Sequence, residues 1–250
     1  MDESTCSSAA EKGNLEVLKY AHENGCPWDE STCSSAAENG HLEVIKYAHE
    51  NDCPWYEDTC QVAAQQGELE VLKYLHENGC PWYDREICAL AVEIGDIETL
   101  KYAHENGCPF PWDACEVAAG EGHLEILKYA HENGYRGYGD PCAAAAEYGQ
   151  LEALKYLHEN GFRWYLSTCL EAAREGHLEA LKYAHENGCP WDKDVCSVAA
   201  MNGHLEILEY LQDNGCPWHL YGELEAIEFA LDHGVEWYCF IGCPRSEWQY

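Results

Sequence analysis

Two side chains able to do chemistry recur through this 250-residue chain at a fixed interval. Histidines stand at His22, His49, His76, His104, His131, His158 and His185. Cysteines form one column at Cys6, Cys33, Cys60, Cys88, Cys115, Cys142, Cys169 and Cys196, and a second at Cys26, Cys53, Cys80, Cys108, Cys189 and Cys216. Zinc takes about four convergent nitrogen or sulfur ligands. One histidine and one nearby cysteine per unit, as in His22 and Cys26, reach that number only by pairing neighbouring units or the halves of one. Such a set would also have to survive Tyr135 and Phe162, which replace the second-column cysteine. The expectation is therefore core or interface histidines, no metal and no other cofactor, with a Cys/His metal-binding protein as a minor alternative.

No catalytic constellation accompanies them. The chain has no nucleophile elbow, phosphate loop, H-E-x-x-H or dinucleotide fingerprint. Its carboxylates are many, 46 acidic against 14 basic side chains, but they sit at repeated positions. A catalytic pair should be unique to one place. The formal net charge of −32 disfavours nucleic acid and anionic membranes as direct partners. It suits either plain solubility or a partner with a basic surface. No run of 18 apolar residues exists, so nothing is expected to span a membrane. The N-terminal M-D-E-S-T-C has neither the basic flank nor the apolar core of a signal peptide, which leads to an intracellular expectation, cytoplasmic or nuclear.

The elements that carry these residues follow from the repeat itself. Asp29 to Trp55 reads D-E-S-T-C-S-S-A-A-E-N-G-H-L-E-V-I-K-Y-A-H-E-N-D-C-P-W, and versions of it run from end to end. The glycine after A-A-x-x falls at Gly13, Gly40, Gly67, Gly95, Gly122, Gly149, Gly176 and Gly203, in steps of 27 with a single 28. A period in this range means a stacked array. Within a unit, Asp29 and Ser31 can cap a short helix carrying Cys33, Ala36 and Ala37. Gly40 turns the chain at positive φ, and His41 to Glu50 forms a second helix with Leu42, Ile45 and His49 on one stripe and Val44 and Ala48 beside it. N-D-C-P-W, or N-G-C-P-W elsewhere, stops it. Two such helices cannot enclose a core alone, so each hairpin buries its faces against its neighbours. The fold class is an all-α solenoid of stacked helix–turn–helix repeats. Stacked helices lie about 8–10 Å apart, too far for disulfides down a cysteine column, so the cysteines read as reduced, buried core residues.

The string A-A-x-x-G-H-L-E-V-L-K-Y-x-H-E-N-G resembles the ankyrin repeat, over nearly the whole chain. The T-P-L-H box of that family is reduced here to forms such as Ser31-Thr32-Cys33-Ser34, and the unit is shorter than the usual ~33 residues. The resemblance therefore implies an ankyrin-like solenoid with little or no β-hairpin finger. The H-E-N-G-C-P-W-D form is similar to arrays in giant-virus and protist genomes. The histidines after the glycine (His41, His123, His177, His204) match the family's G-H position, where a turn hydrogen bond is expected.

In chain order, the repeats are expected at about 2–28, 29–55, 56–82, 83–112, 113–139, 140–164, 165–191 and 192–218, with a partial ninth at 219–237 and a C-terminal cap or docking tail at 238–250. Asp2 to Ala10 is identical to Asp29 to Ala37, so either the first repeat caps itself or the array continues beyond it. The fourth repeat gains a residue near Glu86 and carries P-F-P-W; the fifth replaces C-P-W with Tyr135 to Pro141; the sixth ends in F-R-W-Y-L. The C-P-W tryptophans Trp28, Trp55, Trp82, Trp112, Trp191 and Trp218 are expected to staple each loop onto the next hairpin. As a base-stacking ladder they would need basic neighbours.

Repeated residues hold a solenoid together; non-repeated exposed ones choose its partner. The ankyrin resemblance implies binding on the concave face of loops and first helices. Candidate partner-binding residues are Tyr56, Tyr83, Arg85, Tyr138 and Tyr165 in loops, and Gln66, Ile94, Glu121, Tyr148, Arg174 and Met201 in the pair between A-A and glycine. Tyrosine, arginine and methionine are enriched at interfaces. The expectation is a non-catalytic scaffold or adaptor, monomeric, that binds another protein; the alternative is an acidic decoy that sequesters basic, nucleic-acid-binding proteins.

Overall fold

The structure, a computed structural model, describes residues 4–28, 31–56, 58–82 and 86–217. The ninth repeat and tail expected over 219–250 lie outside the described residues, as do Tyr83, Arg85, Trp218 and the expected cap Asp29. Among the described residues there are sixteen α-helices and no strand. They fall into two compact units, Met1–Ala114 and Cys115–Tyr250.

The first unit holds α1 (Ser4–Glu11), α2 (Leu15–Glu23), α3 (Thr32–Glu38), α4 (Leu42–Glu50), α5 (Thr59–Gln65), α6 (Leu69–Glu77), α7 (Glu86–Ile94) and α8 (Ile97–Glu105). The second follows from α9 (Ala114–Gly120), which opens at the boundary, through α10 (Leu124–Glu132), α11 (Pro141–Glu147), α12 (Leu151–Glu159), α13 (Leu166–Glu175), α14 (Leu178–Glu186), α15 (Lys193–Met201) and α16 (Leu205–Asp213). Odd and even helices pair as hairpins. In the first unit α1 packs on α3, α3 on α5 and α5 on α7, while α2 packs on α4 and α4 on α6. In the second, α11, α13 and α15 form one row and α10, α12 and α14 the other. Each unit is thus two layers of helices.

Small side chains build the first layer. Cys33, Ala36 and Ala37 are wholly buried, as are Cys60, Ala63 and Ala64, at the i, i+3, i+4 spacing of one helix face. Rows of alanine and cysteine let neighbouring helices approach closely. The second layer buries larger residues: Val44, Ile45 and Ala48 in α4, Val71, Leu72 and Leu75 in α6, and Ala180, Leu181 and Ala184 in α14. Each fully buried leucine or isoleucine contributes about 1.5–3 kcal/mol. Leu42 and His49, read from the sequence as part of that stripe, are only half-buried; they lie at its edge.

Ser31 corrects the capping expectation. It adopts helical φ/ψ (−87°, −4°), which moves its side chain out of reach, and it makes no side-chain cap bond. Aspartates and an asparagine cap elsewhere. Asp140 Oδ1 accepts from Ala143 N at 3.0 Å, Asp192 Oδ1 from Asp194 N at 2.9 Å, and Asn14 Oδ1 from Val17 N at 3.1 Å.

Glycine carries two constraints at the hairpin turn. Gly13 has φ 65°, and a Cβ there would meet the His41 ring of the next repeat at 2.6 Å. Gly149 (φ 67°) stands equally close to His177, and Gly40 (φ 68°) to Glu68. By contrast Gly25, after α2, has φ 80° and nothing within 4 Å of a would-be Cβ. At the position equivalent to Gly25 the second repeat has Asp52, the one described non-glycine residue with positive φ, 61°.

This contrast sets the stability of three variants. Gly25→Ala should cost about 1 kcal/mol, the left-handed penalty alone. Gly13→Ala should cost about 2 kcal/mol or more, because the penalty is joined by displacement of His41. Asp52→Gly should stabilise by about 0.5 kcal/mol, relief of φ strain being partly offset by glycine's unfolded-state entropy. Urea unfolding of the three variants checks the order.

Candidate partner-binding surface

What holds each loop decides which residues remain free to bind. Five tryptophans stack on the histidine of their own repeat: Trp28 on His22, Trp55 on His49, Trp82 on His76, Trp164 on His158 and Trp191 on His185. Ring centroids lie 3.5–4.1 Å apart. Each tryptophan also meets a tyrosine of the next repeat edge-on at 6.1–6.5 Å, respectively Tyr47, Tyr74, Tyr102, Tyr183 and Tyr210. Trp28 Nε1 adds a bond to Asn51 O across the interface, 2.8 Å. Histidine Nδ1 lies within hydrogen-bonding range of the same tyrosine's hydroxyl: 2.9 Å for His76 and Tyr102, 3.2 Å for His158 and Tyr183, 2.9 Å for His185 and Tyr210. Burial, with Glu159 and Glu186 nearby, pushes the Tyr183 and Tyr210 phenols up, so they stay protonated and hydrogen-bond as neutral groups. Each triad therefore ties a loop to the next hairpin.

The fourth repeat departs from the expectation for Trp112. With P-F-P-W two residues longer, Phe110 takes the place six residues after the histidine, edge-on to His104 at 5.3 Å. Trp112 is pushed out and is 65% exposed. A cavity of about 350 Å³ opens beside it, lined by Ala89, Pro109, Phe110, Pro111, Trp112 and Asp113. The cavity was missed in the sequence, where the inserted proline and phenylalanine were its signal. Trp164 was missed as a staple because its loop lacks C-P. In the fifth repeat no tryptophan is present, and Phe162 of the sixth packs on His131 at 5.2 Å instead.

Two of the histidines after the glycine, His41 and His204, bond across repeats. His41 Nε2 lies 3.1 Å from Glu11 O and His204 Nε2 2.8 Å from Arg174 O. All described cysteines are buried free thiols. Among the described residues, no group of three or more His, Cys, Asp or Glu side chains could hold a metal ion. No helix there is long and apolar enough to cross a membrane.

Most of the described candidates lie at the surface. Tyr56, Ile94, Tyr138, Tyr148, Tyr165 and Met201 are the exposed large side chains among them, with Tyr138 92% exposed. Gln66 and Glu121 are exposed polar residues. Arg174 is half-buried and pairs with Glu171 of its own helix. In the second unit Tyr148 ends α11 and Met201 ends α15, both at the turn between paired helices. Tyr138 and Tyr165 stand in the loops before α11 and α13. Tyr20, exposed on α2, and Tyr135, in the fifth loop, were not singled out in the sequence.

Residues 6–49 match the family model described as ankyrin repeats (many copies). No curated protein matches the chain.

The triads generate two predictions. Trp164→Ala removes both its histidine stack and its tyrosine contact and should cost about 2 kcal/mol, less than a fully buried tryptophan. Burial holds the His185 imidazole below its ordinary value, against a smaller upward pull from Glu186. As pH falls below about 6.5 the unfolded chain then binds the proton first. His185's contribution is complete above that pH and is lost on acidification. The stability gap between the wild type and His185→Gln should narrow from pH about 7.5 to about 5.5 in urea unfolding.

Proposed function

We propose that this chain, an ankyrin-repeat protein by its match over residues 6–49, is a non-catalytic scaffold that binds another protein. Ankyrin repeats are generally protein–protein interaction modules, and the finer reading concerns which residues do it here. The observation that carries it is a division of labour. Most of the cysteine, aliphatic and aromatic side chains shared by the repeats are buried or stacked, whereas Ile94, Tyr138, Tyr148, Tyr165 and Met201 vary between repeats and are exposed. Large apolar and aromatic side chains held out by a rigid frame are what a protein interface uses as anchors. Arg174, Tyr56, Gln66 and Glu121 complete the proposed surface, on the first-helix and loop side of each unit, and Tyr83 and Arg85 are assigned to it on sequence alone. The protein works as an intracellular monomer, without nucleic acid or cofactor, and its charge of −32 favours a partner with a basic face.

An acidic decoy is the second reading, and the same charge supports it. The two differ in salt dependence, because exposed charge pairs are screened within about 8–10 Å at physiological salt whereas shaped apolar contacts are not. Affinity capture from a cell lysate, washed at low and at raised salt, separates them. The control is a variant with Ile94, Tyr148, Arg174 and Met201 changed to alanine. One or two proteins that survive salt and are lost with the variant support the scaffold. Many basic proteins released by salt and indifferent to the variant overturn it.

A further inference from the structure

The cysteine columns, treated separately in the sequence, meet inside five of the repeats. Cys33 Sγ lies 3.3 Å from Cys53 Sγ, both thiols free and buried. Side-chain hydrogen bonds likewise join Cys60 to Cys80 and Cys88 to Cys108 in the first unit, and Cys169 to Cys189 and Cys196 to Cys216 in the second. In every pair one thiol comes from the first helix and the other from the loop closing the same repeat, 20 residues on.

We propose that these helix–loop cysteine pairs are intrarepeat disulfide sites, closed reversibly by exchange with a low-molecular-weight disulfide of the glutathione kind. A disulfide needs the sulfurs at about 2.05 Å, and two thiols already in hydrogen-bond contact need only a small side-chain rotation to reach it. The two thiols differ in a way that orders the steps. The loop sulfur is the less deeply covered, Cys189 being 4% exposed and Cys169 0%. Hydrogen bonds from Cys60, Cys169 and Cys196 lower the loop thiols Cys80, Cys189 and Cys216 below the ordinary value, whereas in the second repeat the hydrogen bond with Cys33 and burial push the loop thiol Cys53 up, so there the order of attack rests on exposure alone. The loop thiolate attacks the small disulfide. A mixed disulfide forms, the small S–S bond breaks, and the departing thiolate takes up the proton the loop cysteine lost. The helix thiolate then attacks the loop sulfur, and the second small thiolate leaves and is protonated. The net change oxidises two protein thiols to one disulfide and reduces one small disulfide to two thiols.

The chain holds its own controls. In the fifth repeat Tyr135 replaces the loop cysteine, and Cys115 donates to the Tyr135 carbonyl at 3.0 Å instead. In the sixth, Phe162 stands there. Burial pushes Cys115 and Cys142 up, as it does the first-helix thiols of the pairs, so what sets these two apart is the missing partner sulfur. In the pairs Cys33–Cys53, Cys60–Cys80 and Cys169–Cys189 a closed bond would tie the loop carrying the stacked tryptophan, two residues beyond the cysteine, to the first helix of its own repeat.

The test is disulfide mapping. The full chain is incubated with oxidised glutathione, quenched under denaturing conditions with N-ethylmaleimide, digested without reductant and analysed by mass spectrometry. The expected result is crosslinked peptides Cys33–Cys53, Cys60–Cys80, Cys88–Cys108, Cys169–Cys189 and Cys196–Cys216, reversed by dithiothreitol, with Cys115 and Cys142 recovered as alkylated thiols. Oxidation should also raise the thermal midpoint, because a closed loop constrains the unfolded chain. Cys189→Ala should remove the Cys169–Cys189 peptide and leave the other four. Should that variant unfold, the wild-type map decides alone. No crosslink, crosslinks joining different repeats, or equal oxidation of Cys115 and Cys142 would overturn the proposal.

Discussion

Everything in these two units depends on how closely one hairpin can approach the next. A pair of helices this short encloses no core of its own, so stability is made at the joints. The joint is set at the hairpin turn, where a glycine at positive φ leaves a hollow and a side chain of the next repeat fills it. His41 enters at Gly13, Glu68 at Gly40, Gln150 at Gly122, His177 at Gly149 and His204 at Gly176. The filler changes from histidine to glutamate or glutamine while the glycine stays. The missing Cβ is therefore the invariant physical requirement, and the filler need only be long and polar enough to reach across.

A second tie lies at the far end of each second helix. The histidine–tryptophan pair and the tyrosine of the following hairpin form an aromatic contact that is neither deep core nor free surface. Its position explains why a buried-looking histidine recurs in a chain with no catalytic use for it: the ring stacks on one face and hydrogen-bonds at its edge. Where the loop changes length, the position six residues after the histidine matters more than the residue type, as Phe110 shows by displacing Trp112. The cost of that displacement is an exposed indole beside an open cavity.

Much of this was legible in the sequence because the signals repeat. Helix pairing, the turn glycines and the burial of both cysteine columns follow from period and residue type, whereas His41 and His204 were expected to bond within the turn and instead reach the preceding repeat. What escaped depends on distances that a period does not encode. Sequence spacing says that Cys33 and Cys53 lie 20 residues apart, but only the folded hairpin shows the loop returning to its own first helix. The cap at Ser31 failed for a similar reason: the residue type suits a cap, and its backbone is already helical. Trp112 was misplaced because the C-P-W pattern was followed by its letters instead of by its distance from His104. The surface candidates were legible only as exceptions to the repeat, and exposure agrees with that for Ile94, Tyr148 and Met201 while Arg174 is partly covered by its own ion pair.

The central claim is that repeated residues hold the stack and non-repeated ones are left free for a partner. Equilibrium urea unfolding of the variant with Ile94, Tyr148, Arg174 and Met201 all changed to alanine tests it most directly. The account predicts a free energy of unfolding within about 0.5 kcal/mol per site of the wild type, as for ordinary surface substitutions. A loss of several kcal/mol beyond that would place at least one of the four among the residues that hold the stack and contradict the division.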